Sequence, residues 1–180
     1  MITTVKVKEN LQDLHEIRRL YDASFPDDER IPFQRLLKSM DEKRIMDAYY
    51  EDDRLVGLSF LFLFNDLVYL SYICVEEDLR DRGYGTAILK HIQNAYAAYR
   101  IVLDIEEVSE KYDNYEERQK RRDFYIRNGF TSAKVYYHIY NVDYELLQYN
   151  GTVTKEDWHA LILKHWGPFA KSAIYRDSPF

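Results

Sequence analysis

Ile2, Val5 and Val7 open the chain with a short β-prone segment, and Leu11, Leu14, Ile17, Leu20 and Tyr21 then recur at helical spacing. This pattern predicts a strand followed by an amphipathic helix, with Asn10 at the position of its cap. Phe25-Pro26-Asp27-Asp28-Glu29-Arg30-Ile31-Pro32 interrupts it, because residues before proline disfavour helix, and Phe33, Leu36, Leu37 and Met40 resume as a second short helix. Three strands follow: Ile45–Glu51 and Leu55–Asn65, joined by Asp52-Asp53, and Leu67–Val75 after Asn65-Asp66. Ile88, Leu89, Ile92 and Tyr96 place a helix over 86–99, and Arg100–Val108 returns to strand, with Ile101, Leu103 and Ile105 on one face and Asp104 and Glu106 on the other. Tyr115–Asn128 reads as a helix ended by Gly129, with Glu117 and Arg121 spaced for an i,i+4 pair. Lys134–Tyr140 and Val142–Tyr149 read as strands. Beyond them Thr154 is suited to cap a helix striped by Trp158, Leu161, Ile162 and Trp166 and stopped at Gly167-Pro168.

Strands that alternate with helices, after an antiparallel meander, predict a mixed α/β domain over 1–150 and a helical appendix over 151–180. The appendix stripe packs on the same domain, in a homodimer, or over a cleft. With 180 residues, 46% of them hydrophobic, the chain is long enough to bury a core. The net charge of −6 comes from scattered acids, which argues against a nucleic-acid or anionic-membrane surface and suits a cationic substrate. Neither an apolar leader nor a span-length hydrophobic run is read in the sequence, and the expected location is the cytoplasm. Cys74, the single cysteine, sits in an apolar strand as a small hydrophobe. The five histidines form no recognisable ligand spacing, so no metal is expected, and the G-x-S-x-G elbow of serine hydrolases is absent.

The candidate chemistry starts where the strand ending at Val75 runs through Arg80-Asp81-Arg82-Gly83-Tyr84-Gly85-Thr86 into a helix. Glycines there allow backbone angles and close approach that side chains forbid, so amides at a helix start converge on an anion, with Arg80 and Arg82 adding charge. Ile88 stands where a G-x-G-x-x-G loop needs its last glycine, and the lysine of a Walker loop is missing. The R-x-x-G-x-G run resembles the pyrophosphate-binding motif of the GNAT superfamily of N-acyltransferases. A second run, Phe124-Tyr125-Ile126-Arg127-Asn128-Gly129-Phe130, resembles the F-Y-x-x-x-G-F ending of the last core helix in that superfamily. The two runs occur in the family's order, and the resemblance extends over about 45–148.

That resemblance implies a GNAT fold with a mixed, mostly antiparallel sheet, and acetyl transfer from acetyl-CoA to a primary amine of a small molecule or protein. Backbone groups of Ile73, Cys74 and Val75 would hold the pantetheine arm, and amides from Arg80 to Thr86 the pyrophosphate. Tyr125 matches the family tyrosine that faces the sulfur, which makes it the candidate general acid. Glu106, then Asp104, are candidates for the base, although a carboxylate on a central strand also serves by pairing with basic neighbours. Asp27, Asp28 and Glu29 lie where relatives shape the acceptor pocket, and form either an amine-attracting rim or a solvated turn. Arg118 and Arg121 stand where many relatives carry Asn and Ala, which replaces an amide contact by an arginine able to reach a CoA phosphate, or else the run Arg118, Lys120, Arg121, Arg122 is an ordinary charged helix face. Two other readings remain: a CoA-binding sensor or interaction module without turnover, and a cradle for a different phosphate ligand.

Overall fold

A computed structural model describes residues 2–27, 30–139, 141–176 and 178–179. Among the described residues, eight strands make one sheet in the order β1-β2-β3-β4-β5-β7-β6-β8. They are β1 Thr3–Lys6, β2 Arg44–Glu51, β3 Arg54–Phe64, β4 Leu67–Val75, β5 Arg100–Glu106, β6 Thr131–Ile139, β7 Val142–Tyr149 and β8 Ile174–Arg176. The helices are α1 Leu14–Ser24, α2 Phe33–Ser39, α3 Tyr84–Ala95, α4 Tyr115–Arg127 and α5 Lys155–Trp166. The β4–β5 ladder is parallel, while the β1–β2, β2–β3, β5–β7, β6–β7 and β6–β8 ladders are antiparallel. The chain divides into two compact units, Met1–Leu63 with Leu70–Ala95 and Phe64–Tyr69 with Tyr96–Phe180.

In the first unit, Ile17, Leu20 and Tyr21 of α1 and Phe33, Leu36 and Leu37 of α2 pack with Met46, Ala48, Leu58 and Phe60 from β2 and β3. Asp52 and Asp53 turn the β2–β3 hairpin at φ 47° and 63°, a conformation that short polar side chains tolerate. The helix start differs from expectation. Asn10 caps nothing: Leu11 N–H bonds back to the Lys8 carbonyl at 3.1 Å, and α1 begins after Asp13. Residues 8–13 are spent on tight turns, and the Asp13 carboxylate accepts the Tyr50 hydroxyl rather than capping the helix. Gly57 on β3 is set by close approach, since a Cβ there would lie 2.5 Å from the Cys74 carbonyl oxygen and 2.7 Å from the Ile88 side chain of α3.

In the second unit, β4 pairs with β5 over only three residues, Leu67–Tyr69 with Arg100–Val102, and β7 then carries the sheet on from Ile101 to Glu106. Gly129 ends α4 at φ 89°, and Phe130 N–H reaches the Tyr125 carbonyl at 3.1 Å. The expected Glu117–Arg121 pair does not form, because Arg121 turns instead to Glu106 at 3.0 Å, a carboxylate only 14% exposed that gains more from a guanidinium than solvated Glu117 does. α5 starts with a reciprocal capping box: Thr154 Oγ1 accepts the Asp157 N–H and Asp157 Oδ2 accepts the Thr154 N–H, both at 3.1 Å. Trp158, Leu161 and Ile162 bury the stripe within this unit. Arg100 binds Asp66 at 2.7 and 2.9 Å and Asp157 at 2.7 Å, joining the start of β5 to the start of α5. β8 was not expected, since three residues are too few to show a period.

Candidate active site

The first unit carries the turn between β4 and α3. Glu76 N–H bonds to the Val56 carbonyl at 3.0 Å, and a 3-10 turn over Glu77–Leu79 follows, anchored by buried Leu79. Asp81 at φ 61° and Gly83 at φ 88° then bend the backbone into the helix. The first α3 bond runs from Ala87 N–H to the Gly83 carbonyl at 3.0 Å, so the amides of Tyr84, Gly85 and Thr86 precede the helical ladder. The first turn of α3 contains no acidic residue, which leaves the positive end of the helix dipole uncancelled. Arg80 and Arg82 are exposed and make no ion pair among the described residues. The Tyr84 side chain turns away, donating its hydroxyl to Glu51 and holding that carboxyl below its usual range. Tyr84 therefore has its amide, not its phenol, to offer an anion. Gly85 lies in the first turn of α3 and needs no left-handed angle, so the conformational demand falls on Gly83.

Ile73, Cys74 and Val75 are the half-buried last residues of β4, beyond the three-residue ladder with β5. Burial pushes the Cys74 thiol up to about 12, so it stays protonated and packs as a small apolar group. In the loop between α1 and α2, Arg30 pairs with Asp27 and reaches back to Asp22 of α1, pairing with its carboxylate and donating to its carbonyl at 3.1 Å. Asp28 and Glu29 lie outside the described residues.

The second unit holds the other candidates. Asp104 and Glu106 share a face of β5 but have opposite surroundings. Glu106 is flanked by Arg118 at 2.6 Å on Oε1 and Arg121 at 3.0 Å on Oε2. Arg118 is itself buried, donating to Asn114 at 2.7 Å and the Glu107 carbonyl at 3.0 Å, with its guanidinium 3.7 Å from the Tyr112 ring centre. Asp104 has no basic partner among the described residues. It accepts the Tyr69 hydroxyl at 2.8 Å on Oδ1 and the Tyr137 hydroxyl at 2.6 Å on Oδ2. Burial raises its carboxyl above the usual range, and the two hydroxyls pull it partly back. Tyr125 is 7% exposed, its ring against Phe124 and Phe130, and its hydroxyl makes no hydrogen bond among the described residues. Burial is the main reason its phenol is pushed up to about 12, with Arg121 drawing it down and Asp104 up.

Two strand tyrosines, Tyr69 and Tyr137, thus join the candidate residues; from sequence Tyr69 is open as core, rim or pocket, and Tyr137 has no signal of its own. The signal that points to them is Asp104, since a carboxylate on an apolar strand requires donors from neighbouring strands.

Residues 44–132 match the family model described as an acetyltransferase (GNAT) domain, a range that contains the helix-start turn and the Tyr125 segment. The chain carries a GNAT acetyltransferase domain. Its chemistry is of the acyltransferase class, and the general reaction of that family is acetyl transfer from acetyl-CoA to an amine. Solved structures repeat the fold. A GNAT-family protein of Bacteroides thetaiotaomicron superposes with a TM-score of 0.77 at 22% identity, covering 92% of this chain and 98% of that one. The ribosomal-protein-S18-alanine N-acetyltransferase of Escherichia coli gives 0.61 at 16% identity, covering 87% and 98%. An aminoglycoside 6'-N-acetyltransferase complexed with coenzyme A gives 0.65 at 17% identity, covering 81% and 95%. No curated protein sequence matches the chain. Among the described residues no helix of the GNAT chain is long and apolar enough to cross a membrane, and no group of three or more His, Cys, Asp or Glu side chains is arranged to hold a metal.

Proposed function

We propose that this GNAT domain binds acetyl-CoA and transfers its acetyl group to a primary amine. The observation that carries the reading is the start of α3: amides at 84–86 that precede the helical ladder, left-handed Gly83, no acid in the first turn, and exposed Arg80 and Arg82. A diphosphate needs oriented donors and positive potential, and this turn supplies both. Amides from Asp81 to Thr86 hold the pyrophosphate. The Arg80 amide, expected to join them, is committed to the Glu77 carbonyl at 3.3 Å and leaves Arg80 to contribute its side-chain charge. Main-chain groups of Ile73, Cys74 and Val75 hold the pantetheine arm. Acetyl-CoA supplies the acetyl group as a thioester.

The residues of the second unit divide the proton work. Tyr125 keeps its proton at ordinary pH and has a hydroxyl committed to no other residue among those described, so it protonates the departing sulfur. Of the two carboxylates, Asp104 is the better base. Two arginines occupy the two oxygens of Glu106, whereas the carboxyl of Asp104 is raised by burial and meets only neutral donors. The acceptor is a small-molecule amine or a protein amine. Both classes occur among similarly folded proteins, one named for an S18 alanine and another for aminoglycosides. The single, half-buried cysteine is in keeping with a cytoplasmic setting.

Calorimetric titration with acetyl-CoA, CoA and ATP tests the first half of the reading. Binding of acetyl-CoA and CoA but not ATP is expected. ATP binding alone would replace the proposal with a nucleotide site. Thiol release in the presence of spermidine, kanamycin or an alanine-starting peptide tests the second half. CoA binding with no acceptor-dependent release from any amine would turn the reading into that of a CoA-binding module.

A further inference from the structure

Asp104 is held in a way that Glu106 is not. Each of its oxygens receives one phenolic O–H, from Tyr69 on β4 and from Tyr137 on β6, and no lysine or arginine pairs with it among the described residues. Both tyrosine rings are themselves fixed by the C-terminal appendix. Trp158 of α5, wholly buried, touches the Tyr69 ring edge-on at 5.0 Å and the Tyr137 ring at 5.7 Å. His165 and Trp166 of α5 add edge contacts to Tyr69 at 5.6 and 6.5 Å. Tyr144 of β7 stacks on Tyr137 at 5.1 Å with 17° between the planes, and Tyr175 of β8 lies 6.1 Å away. Among the described residues Tyr125 of α4 is a further titratable neighbour, its phenol drawn up by the Asp104 carboxylate.

We propose that Tyr69 and Tyr137 are positioning residues that aim Asp104 and set its proton affinity, so that it, and not Glu106, takes the proton of the acceptor amine. The inference rests on the acetyltransferase reading for its catalytic part and on geometry alone for the clamp. Neutral donors differ from arginines in a decisive respect. They satisfy the lone pairs of a carboxylate and fix its plane without adding the full positive charge that would pin it in the ionised state. As the amine forms its C–N bond to the acetyl carbon, its proton passes to an Asp104 carboxylate oxygen. The C–S electron pair leaves on sulfur, which takes its proton from Tyr125. The proton on Asp104 and the one missing from Tyr125 then balance through solvent. α5 thereby has a catalytic purpose without touching substrate, because it braces the rings whose hydroxyls hold the base.

The test is a carboxyl titration of the full chain labelled with 13C-aspartate and followed by NMR, the Asp104 signal being assigned by its loss in Asp104→Asn. Tyr69→Phe and Tyr137→Phe keep the rings and remove one hydroxyl each, and circular dichroism checks that they fold. Each is expected to move the Asp104 midpoint upward by about one pH unit, since a donor to the charged form is lost, and the double variant further. The acid limb of kcat/KM, measured with the panel amine of highest turnover, is expected to move by the same amount. An unmoved midpoint in both folded variants overturns the clamp. A midpoint that moves while the acid limb stays fixed overturns Asp104 as the base and leaves acetyl transfer standing. If the wild-type protein acetylates none of the panel amines, the acetyltransferase reading fails by itself and the carboxyl titration alone decides the clamp.

Discussion

Gly83 is the residue on which the cofactor turn depends most. Its φ of 88° belongs to the region that side chains avoid, although open space surrounds the place where a Cβ would go. Gly83→Glu would therefore fit sterically but strain the backbone and bring a carboxylate to the helix start. Acetyl-CoA affinity is expected to fall by about tenfold or more, as calorimetry would read it, and an unchanged affinity would remove the turn from the binding site. Tyr125→Phe asks a different question. It keeps the ring between Phe124 and Phe130 and deletes the one hydroxyl assigned to the sulfur, so turnover should drop on the order of a hundredfold with CoA affinity little changed. At this scale the sequence was informative about which types of residue matter and less so about their partners. Arg118 reads from sequence as one charge in a basic helix face, yet it is buried against Glu106, Asn114 and Tyr112. That contact needs the β5–α4 loop to fold back, which no periodicity encodes.

Among the elements, β4 and β7 have the bounds that their apolar runs predict, because a buried strand flanked by turn residues shows its length in its composition. Helix ends were less legible. Asn10 and Asp13 are both acceptable caps, and the choice between them falls to the Asp13–Tyr50 contact, which reaches across to β2. β6 includes Lys134 at φ 54° and a register shift between Ser132 and Tyr136, so its alternation is broken where an expected strand would have been continuous. The clamp on Asp104 was hidden for a related reason: Tyr137 reaches it only because β7 lies between β5 and β6, an order that sequence proximity does not suggest. α5 offers a direct stability test. Trp158 is fully buried among Tyr69, Tyr137 and Trp166, so Trp158→Ala should cost about 3–5 kcal/mol in urea unfolding, whereas a loss below about 1 kcal/mol would mean that α5 is not part of the second unit's core.

For the whole molecule, acid stability has an identifiable contributor. Burial pushes the Asp143 carboxyl up, but Tyr112, Lys111 and His138 pull it further down, to about 2 against an ordinary 3.8. A depressed folded value means that the stabilisation is complete above about pH 4 and is lost as pH falls through 4 toward 2. Its size is about 2 kcal/mol, and Asp143→Asn should flatten the stability profile across that window. Retention of the full slope in the variant would assign acid unfolding to other carboxylates. A different kind of global dependence follows from Gly57, where a single methyl would collide with the Cys74 carbonyl and with Ile88. The seat of α3, and with it the direction in which its leading amides point, is set by a residue that bears no chemistry and has no business with any ligand. Inherited or selected differences in cofactor affinity can therefore arise there, beneath the helix, and a random-mutation screen for weakened acetyl-CoA binding should return Gly57→Ala alongside changes in the turn itself.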